Sequence, residues 1–233
     1  MRPRTKMFVR SVSQAYPSNF WRMLFVSAVA AAFFLATPPS HGADGKTSAE
    51  GATKYMQALG QEAINFLSDE SLTRSEREGH VRNLLAENFD IAMIGRYVLG
   101  SAWRKASAEQ RVRYQSQFRT WVLSTYSQRL SNYGGGTMSV TDAKPYGKRD
   151  VLVSTRFDRP SGKPLIAGWR VRQKDAGYRI LDLVIEGISM AMTQREEFRS
   201  IVRQKGVDGL ISMLESQTAT LAETAKKVAY IRR

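Results

Sequence analysis

The stretch from residue 150 to residue 187, DVLVSTRFDRPSGKPLIAGWRVRQKDAGYRILDLVIEG, decides the fold class. Within residues 150–158 and 165–174, apolar and polar side chains alternate, which is typical of strands with one buried face. Residues 178–186 are almost wholly apolar, as expected for a strand covered on both faces. Short turn-like links join these segments. Together with a short segment at 137–141, the pattern predicts a meander of about four antiparallel strands.

Helical patterns lie on both sides of this strand region. Four Ser/Thr-x-x-Glu/Gln matches, which begin at Thr47, Thr73, Ser107 and Thr193, have the form of the capping box that starts a helix. Apolar side chains at intervals of three and four residues support each helix. The order of helices, strands and helices predicts an α+β domain, with the helices gathered against one face of the sheet. The expected helices span residues 48–67, 74–88, 108–133 and 193–205, followed by a last helix capped by Asp208.

Residues 1–42 have the composition of an export signal. A basic leader precedes an apolar run of about 14 residues, and two prolines and small side chains then lead to Ala43. A membrane anchor is the second interpretation, but spanning a bilayer takes about 20 apolar residues. We therefore predict a cleaved signal peptide at 1–42, a domain at 43–217, a basic C-terminal tail at 218–233 and a location in the periplasm.

Charge and cysteine content narrow the function classes. Removing residues 1–42 takes away five of the 35 basic residues and none of the 21 acidic ones, which leaves a net charge of +9. This charge suits either a solvated basic surface or attraction to anionic headgroups and acidic partners. Export makes nucleic acid an unexpected partner. The chain has no cysteine, so neither a disulfide nor a thiol nucleophile is available.

The sequence contains few groups with catalytic potential. His80 is the one histidine after the predicted signal, and a single histidine without cysteine does not make an ordinary zinc site. No nucleotide, hydrolase or metalloprotease motif is present. Asp182 and Glu186 lie in or at the end of the apolar strand, where each is either the structural partner of an arginine or the base of an exported enzyme. We expect no catalytic residue, no metal and no cofactor.

The segment FDIAMIGRYVLGSAWR, at 89–104, reads as a large apolar surface on a short helix. Asp90 can cap this helix, Gly100 stops it, and Trp103 is expected in the following turn. Periodicity alone leaves two interpretations open, because such a surface can close a packed core or line a cavity.

Four pieces of the chain resemble the MlaC family of periplasmic phospholipid-binding proteins, also called the toluene-tolerance auxiliary family, which includes a hopanoid-associated branch. They occur in the order and spacing of that family and together cover most of residues 50–217. The pieces are FDIAMIGRYVLGSAWRKASAEQ at 89–110, FRTWVLSTYSQRL at 118–130, WRVRQKDAGYRILDLVIEGISMAMTQREEFRSIV at 169–202 and VDGLISMLESQ at 207–217.

The resemblance implies a fold akin to the NTF2 group, with an apolar cavity between the sheet and the helices that holds lipid acyl chains. It also implies that the protein shuttles phospholipid between an outer-membrane lipoprotein complex and an inner-membrane ABC transporter with an MCE-domain subunit. Whether hopanoids are also cargo stays open. Two alternatives remain beside this lipid carrier: an exported enzyme of the same fold, and an adaptor whose apolar groove takes a partner's helix.

The large apolar residues of the matching segments are the candidate cavity lining, and ordinary core packing is the alternative for each. The candidates are Ile94, Tyr97, Val98, Trp103, Phe118, Val122, Tyr126, Val153, Trp169, Val171, Val184, Ile188, Met190, Met192 and Phe198. Arg170, Arg172 and Lys174 project from the opposite face of their strand. We expect them to meet anionic headgroups or an acidic partner, or else to form a solvated face.

Overall fold

Helices precede and follow an antiparallel sheet. The computed structural model describes residues 47–131, 136–158, 162–175 and 177–231, so the predicted signal at 1–42 lies outside the described residues. The helices are α1 (Ala49–Leu67), α2 (Arg74–Asn88), α3 (Ile91–Leu99), α4 (Ser101–Lys105), α5 (Ala108–Leu130) and α6 (Met190–Ile231). The strands are β1 (Thr137–Tyr146), β2 (Asp150–Asp158), β3 (Leu165–Lys174), β4 (Gly177–Ile185) and β5 (Ile188–Ser189).

The sheet is a meander in the order β1-β2-β3-β4-β5, with every neighbouring pair antiparallel. The predicted α+β class is confirmed. The count of four strands was one short, because β5 has only two residues and carries no detectable alternation. The strand predicted at 137–141 continues to Tyr146, since a register shift between Val140 and Asp142 lets it follow β2 along its whole length.

Two of the four predicted capping boxes start helices. The side chains of Thr73 and Ser107 each accept a hydrogen bond from the backbone amide three residues later. In return, the side chains of Glu76 and Gln110 accept hydrogen bonds from the backbone amides of Thr73 and Ser107. The other two predictions were wrong by a few residues. Ser48 caps α1 in place of Thr47, and α6 begins at Met190, before Thr193. In both cases a neighbouring serine offers the same hydroxyl group closer to the first helical turn.

Thr47 ties the start of the domain to the sheet. Its hydroxyl group donates to the carbonyl oxygen of Arg149 at 2.7 Å and accepts from the backbone amide of Gln173 at 2.7 Å. The residue is 8 % exposed. This contact holds the beginning of α1 against the β2–β3 end of the sheet.

The outer edge of β4 is covered at both ends. Phe89 forms a parallel bridge with Ile180, and the amide of Asp90 donates to the Ile180 carbonyl oxygen at 3.0 Å. At the other end, β5 pairs with Val184 and Ile185. An open strand edge is a site for unwanted pairing, and the chain thus protects this edge with its own backbone.

The buried apolar residues form two clusters. The sheet cluster lies between α1 and strands β2 to β4, and its centre is Met56, Val151, Val153, Val171 and Ile180, each at most 1 % exposed. The helical cluster lies among α2, α3, α5 and α6, and its largest fully buried side chains are Tyr114, Phe118, Phe198, Leu210, Ile211 and Leu214. The candidate site lies where these two clusters meet.

Helix α6 contains a break and includes part of the predicted tail. Gly206 has φ 70° and ψ −176°, so the helix direction changes there, and Asp208, the predicted cap, instead accepts a hydrogen bond from Gln110. Residues 218–231 of the basic tail continue the helix. Within the described part of the chain, no helix is both long and apolar enough to cross a membrane.

Candidate functional site

The segment at 89–104 forms α3, the turn at Gly100 and α4. A carboxylate oxygen of Asp90 accepts from the Met93 amide at 3.0 Å, which confirms the predicted cap. Gly100 ends α3 at φ 62°, a backbone conformation that favours glycine. Trp103 lies in the short helix α4 and not in a turn, with the guanidinium groups of Arg96 and Arg111 near its ring.

About half of the predicted lining residues belong to the helical cluster. The aromatic rings of Phe118, Trp121 and Phe198 lie with centroids 5.9–6.1 Å apart at its centre. Tyr114 joins them, and its hydroxyl group donates to the Gly95 carbonyl oxygen at 2.9 Å. The predicted residues in this cluster are Val98, Phe118 and Phe198, which are buried, and Ile94, Trp103, Val122 and Tyr126, which are half-buried against it.

Three predicted residues belong to the sheet cluster. Val153 and Val171 are fully buried beneath α1, where they act as ordinary core. Trp169 is half-buried, and its indole nitrogen donates to the Thr155 hydroxyl oxygen at 2.8 Å. Because this bond satisfies the indole N–H, the ring can present its apolar surface without an unpaired donor.

Phe89 connects the two clusters. It is the residue that packs against both clusters in the described chain, and its ring meets Trp169 edge-on with centroids 6.4 Å apart. Phe89 is not among the lining residues predicted from the sequence. The available signal was its position, because Phe89 ends the apolar stripe of α2 and also opens the segment at 89–104.

One end of the inner sheet face is less covered than the other. The strand register places Phe157, Leu165, Trp169, Leu183 and Ile185 on the same face as Val153 and Val171. They are half-buried, whereas the residues under α1 are fully buried. We call these five residues the open end of the sheet. It is an apolar surface beside the Phe89–Trp169 contact that the helices leave partly uncovered.

The remaining predicted lining residues do not join this surface. Val184 lies on the opposite face of β4, because it pairs with Gly168, and a Cβ atom at position 168 would sit 3.5 Å from the Val184 Cβ. Met190 is half-buried at the start of α6. The side chains of Tyr97, Ile188 and Met192 are exposed. The predicted set therefore does not form a single wall.

The three basic residues of β3 form ion pairs on the outer sheet face. Arg170 and Arg172 donate to Asp150, whose side chain is 2 % exposed, at 2.6 and 2.5 Å. Burial alone would raise the pKa of Asp150, but the hydrogen bonds and charges of Arg172 and Arg170 lower it below the ordinary value. Lys174 pairs with Asp90, whose pKa is lowered against the effect of burial by Lys174 and the Met93 amide. Contact of these cations with headgroups stays a prediction.

The two candidate carboxylates have structural hydrogen bonds. Asp182 accepts from the Ser189 hydroxyl at 2.5 Å and from the Ala191 amide at 3.0 Å, so its partner is the start of α6 and not an arginine. Glu186 accepts from the Ile166 amide at 3.3 Å, and its backbone has φ 49°. His80 is exposed and stacks on Phe66. Among the residues that the structure describes, no His, Asp and Glu group is arranged to hold a metal ion.

The family model described as "MlaC protein" matches residues 57–216, which is more than half of the chain and contains all of α2 to β5. The chain belongs to the MlaC family. A curated member with sequence similarity is the intermembrane phospholipid transport system binding protein MlaC of Haemophilus influenzae. It is 26 % identical over 143 residues, which cover 60 % of this chain and 67 % of that protein.

A solved structure with a similar fold is the phospholipid-binding protein of Ralstonia solanacearum, determined in complex with a phospholipid. The TM-score is 0.63, with 22 % sequence identity over 73 % of this chain and 98 % of that one. This likeness supports the MlaC-type fold of helices on an antiparallel sheet.

Proposed function

We propose that this MlaC-family protein is a phospholipid carrier of the periplasm. Its family membership carries the proposal, because the Haemophilus influenzae relative is named for intermembrane phospholipid transport and the Ralstonia solanacearum structure holds a phospholipid. The partners that we propose are an inner-membrane ABC transporter with an MCE-domain subunit and an outer-membrane lipoprotein complex.

The open end of the sheet is the proposed place for the acyl chains. It offers half-buried apolar side chains on β2, β3 and β4, and the Phe89–Trp169 contact forms its border with the helical cluster. An acyl chain that separates the two clusters here would replace one apolar neighbour by another. The deeply buried residues under α1 and between α5 and α6 would keep their packing and hold the fold together.

The energetics of lipid transfer explain why such a carrier is needed. Each buried methylene contributes about 0.8 kcal/mol, so two chains of ~16 carbons separate lipid in a membrane from lipid in water by roughly 25 kcal/mol. A barrier even near that size makes spontaneous transfer through water extremely slow. A carrier lowers it by offering an apolar surface and needs no nucleophile, metal or nucleotide.

The first test is the lipid content of the protein purified from the periplasm, measured by native mass spectrometry and lipid extraction. We expect stoichiometric phospholipid. A protein that is folded, rigid and free of lipid, and that also fails to take up phospholipid from vesicles, would overturn the proposal.

A matched pair of variants tests the location. Leu183 lies at the open end and Val184, its neighbour, on the opposite face, and both are half-buried. We expect Leu183→Lys to abolish lipid retention, because an ammonium group would stand among the acyl chains. Val184→Lys adds the same charge and should retain lipid. Should Leu183→Lys not fold, Leu183→Trp, which fills the space with an apolar ring, gives the same comparison. Equal retention in all variants would exclude the open end.

A further inference from the structure

A small cavity lies where α3 and α4 meet the first turns of α6. Its volume is about 220 Å³, and Tyr97, Gly100 and Ser101 line one side of it. Met192, Arg195 and Arg199 line the other side. The cavity is below the range of about 300–1,000 Å³ that is typical of pockets for drug-sized ligands. It therefore suits a compact polar group and not two acyl chains.

Arg195 is the central side chain of this cavity. Its guanidinium group lies over the Tyr97 ring at 5.0 Å from the ring centroid. A Cβ atom at position 100 would be 3.0 Å from its Nε atom, so the glycine leaves room for the guanidinium group to lie against the backbone. The guanidinium group of Arg195 thus packs against the Tyr97 ring and against the backbone of Gly100.

The charge of Arg195 has no carboxylate partner within ion-pair distance among the described residues. Arg199, by contrast, pairs with Glu196 at 2.6 Å. These two cations and one anion give the cavity lining a net charge of +1. On the outer sheet face, by contrast, both arginines, Arg170 and Arg172, donate to a carboxylate, that of Asp150.

We propose that this cavity binds a phosphate group through Arg195, and that the phosphate belongs to the headgroup of the carried lipid. A planar guanidinium with free N–H donors matches the geometry of phosphate oxygens. The exposed side chains of Tyr97 and Met192 add an apolar rim. Met192 follows β5 in the first turn of α6, seven residues after Ile185 at the open end of the sheet. The assignment to a lipid rests on the proposed carrier function.

The test compares Arg195→Gln with Arg203→Gln. Both remove one positive charge from α6, but Arg203 is exposed and does not line the cavity. Lipid-free protein is incubated with vesicles of phosphatidylglycerol or of digalactosyldiacylglycerol, which has the same kind of chains and no phosphate. Inorganic phosphate is titrated separately by calorimetry.

We expect Arg195→Gln to lower phosphatidylglycerol binding about tenfold, as for the loss of one charge-assisted hydrogen bond, with galactolipid binding unchanged. Arg195→Lys should restore part of it, and Arg203→Gln should behave as the wild type. If the substitution abolishes only the binding of inorganic phosphate, the cavity is a phosphate site for a free anion, and its assignment to the lipid is overturned.

Two results would overturn the phosphate site itself. One is phosphate and phosphatidylglycerol binding that survives Arg195→Gln unchanged. The other is an equal loss in Arg203→Gln, which would indicate an effect of total charge. If the proposed carrier function is wrong, the result differs, because the wild type would bind neither lipid. The titration with inorganic phosphate would still show whether the cavity binds phosphate.

Discussion

The ring of Trp169 meets the ring of Phe89 edge-on, with centroids 6.4 Å apart, and this contact joins the sheet cluster to the helical cluster. We predict that Phe89→Ala lowers the free energy of unfolding by about 2 kcal/mol, less than for a fully buried phenylalanine, and also reduces bound lipid. Phe66→Ala is the control, because Phe66 is also half-buried and packs against the helical cluster but not against the sheet cluster. Denaturant unfolding and lipid extraction measure the two effects. Equal lipid loss in both variants would contradict a special role of Phe89.

Asp150 gives the protein a defined sensitivity to acid. Its pKa is lowered in the folded state, so its stabilising effect is complete above the ordinary carboxyl pKa of about 4 and is lost as the pH falls through the lowered value. We predict that Asp150→Asn costs about 3 kcal/mol at neutral pH, because it removes the partner of two arginines. The difference from the wild type should shrink below about pH 4.

Asp158→Asn on the same strand is the matched control for Asp150. The pair of Asp158 with Arg156 is about half exposed on both sides, so its removal should cost less than about 1 kcal/mol. Urea unfolding of the three proteins over a range of pH gives the comparison. A stability difference for Asp150→Asn that stays constant down to low pH would show that the lowered pKa does not stabilise the fold.

Gly206 and Gly79 should respond in opposite directions to alanine. A Cβ atom would meet nothing within 4 Å at either position, so packing does not decide the outcome. Gly206 has φ 70°, and we predict that Gly206→Ala destabilises the protein by about 1 kcal/mol or more. Gly79 lies inside α2, where alanine should stabilise by about 0.5–1 kcal/mol. Thermal unfolding measures both, and a stabilised Gly206→Ala variant would mean that the break in α6 is not a required conformation.

Substitutions of Asp182 distinguish the carrier hypothesis from the enzyme alternative. Its carboxylate holds the Ser189 hydroxyl and the Ala191 amide at the start of α6. We predict that Asp182→Ala costs about 1 kcal/mol, as for the loss of a helix cap, and leaves lipid binding intact in vesicle uptake assays. Asp182→Asn keeps an acceptor oxygen and should cost less. An Asp182→Asn protein that is stable and binds lipid, but fails to support lipid transport in cells, would favour a chemical role.

Alternation along the chain was sufficient to predict β2 and β3, because each has one mainly apolar face in the core and one mainly polar face outside it. It failed for Val184, because β4 is apolar on both faces and its pattern cannot tell the inner face from the outer one. The register shift between Arg170 and Val171 also changes which residues of β4 point to the inner face of the sheet. No feature of the local sequence predicts this shift.

Of the five residues at the open end of the sheet, only Trp169 was among the lining residues predicted from the sequence. The segments that line it were visible as apolar stretches, whereas the division into two clusters depends on contacts between residues far apart in sequence, such as Phe89 with Trp169. The pairing of the charged side chains also depends on contacts between residues far apart in sequence. The outer arginines of β3 looked free in the sequence, and only the fold brings Asp150 between them.

The contact of Thr47 with Arg149 and Gln173 affects the order in which the chain can fold. Helix α1 is the first described helix to leave the ribosome, yet its apolar side packs on a sheet that begins at Thr137, 70 residues after the helix ends at Leu67. Until β1 and β2 have been synthesised, Met56 and Leu59 have no sheet to cover them, and loop closure over such a distance is slow. The nascent protein therefore keeps its N-terminal half without a finished core until most of the chain is present.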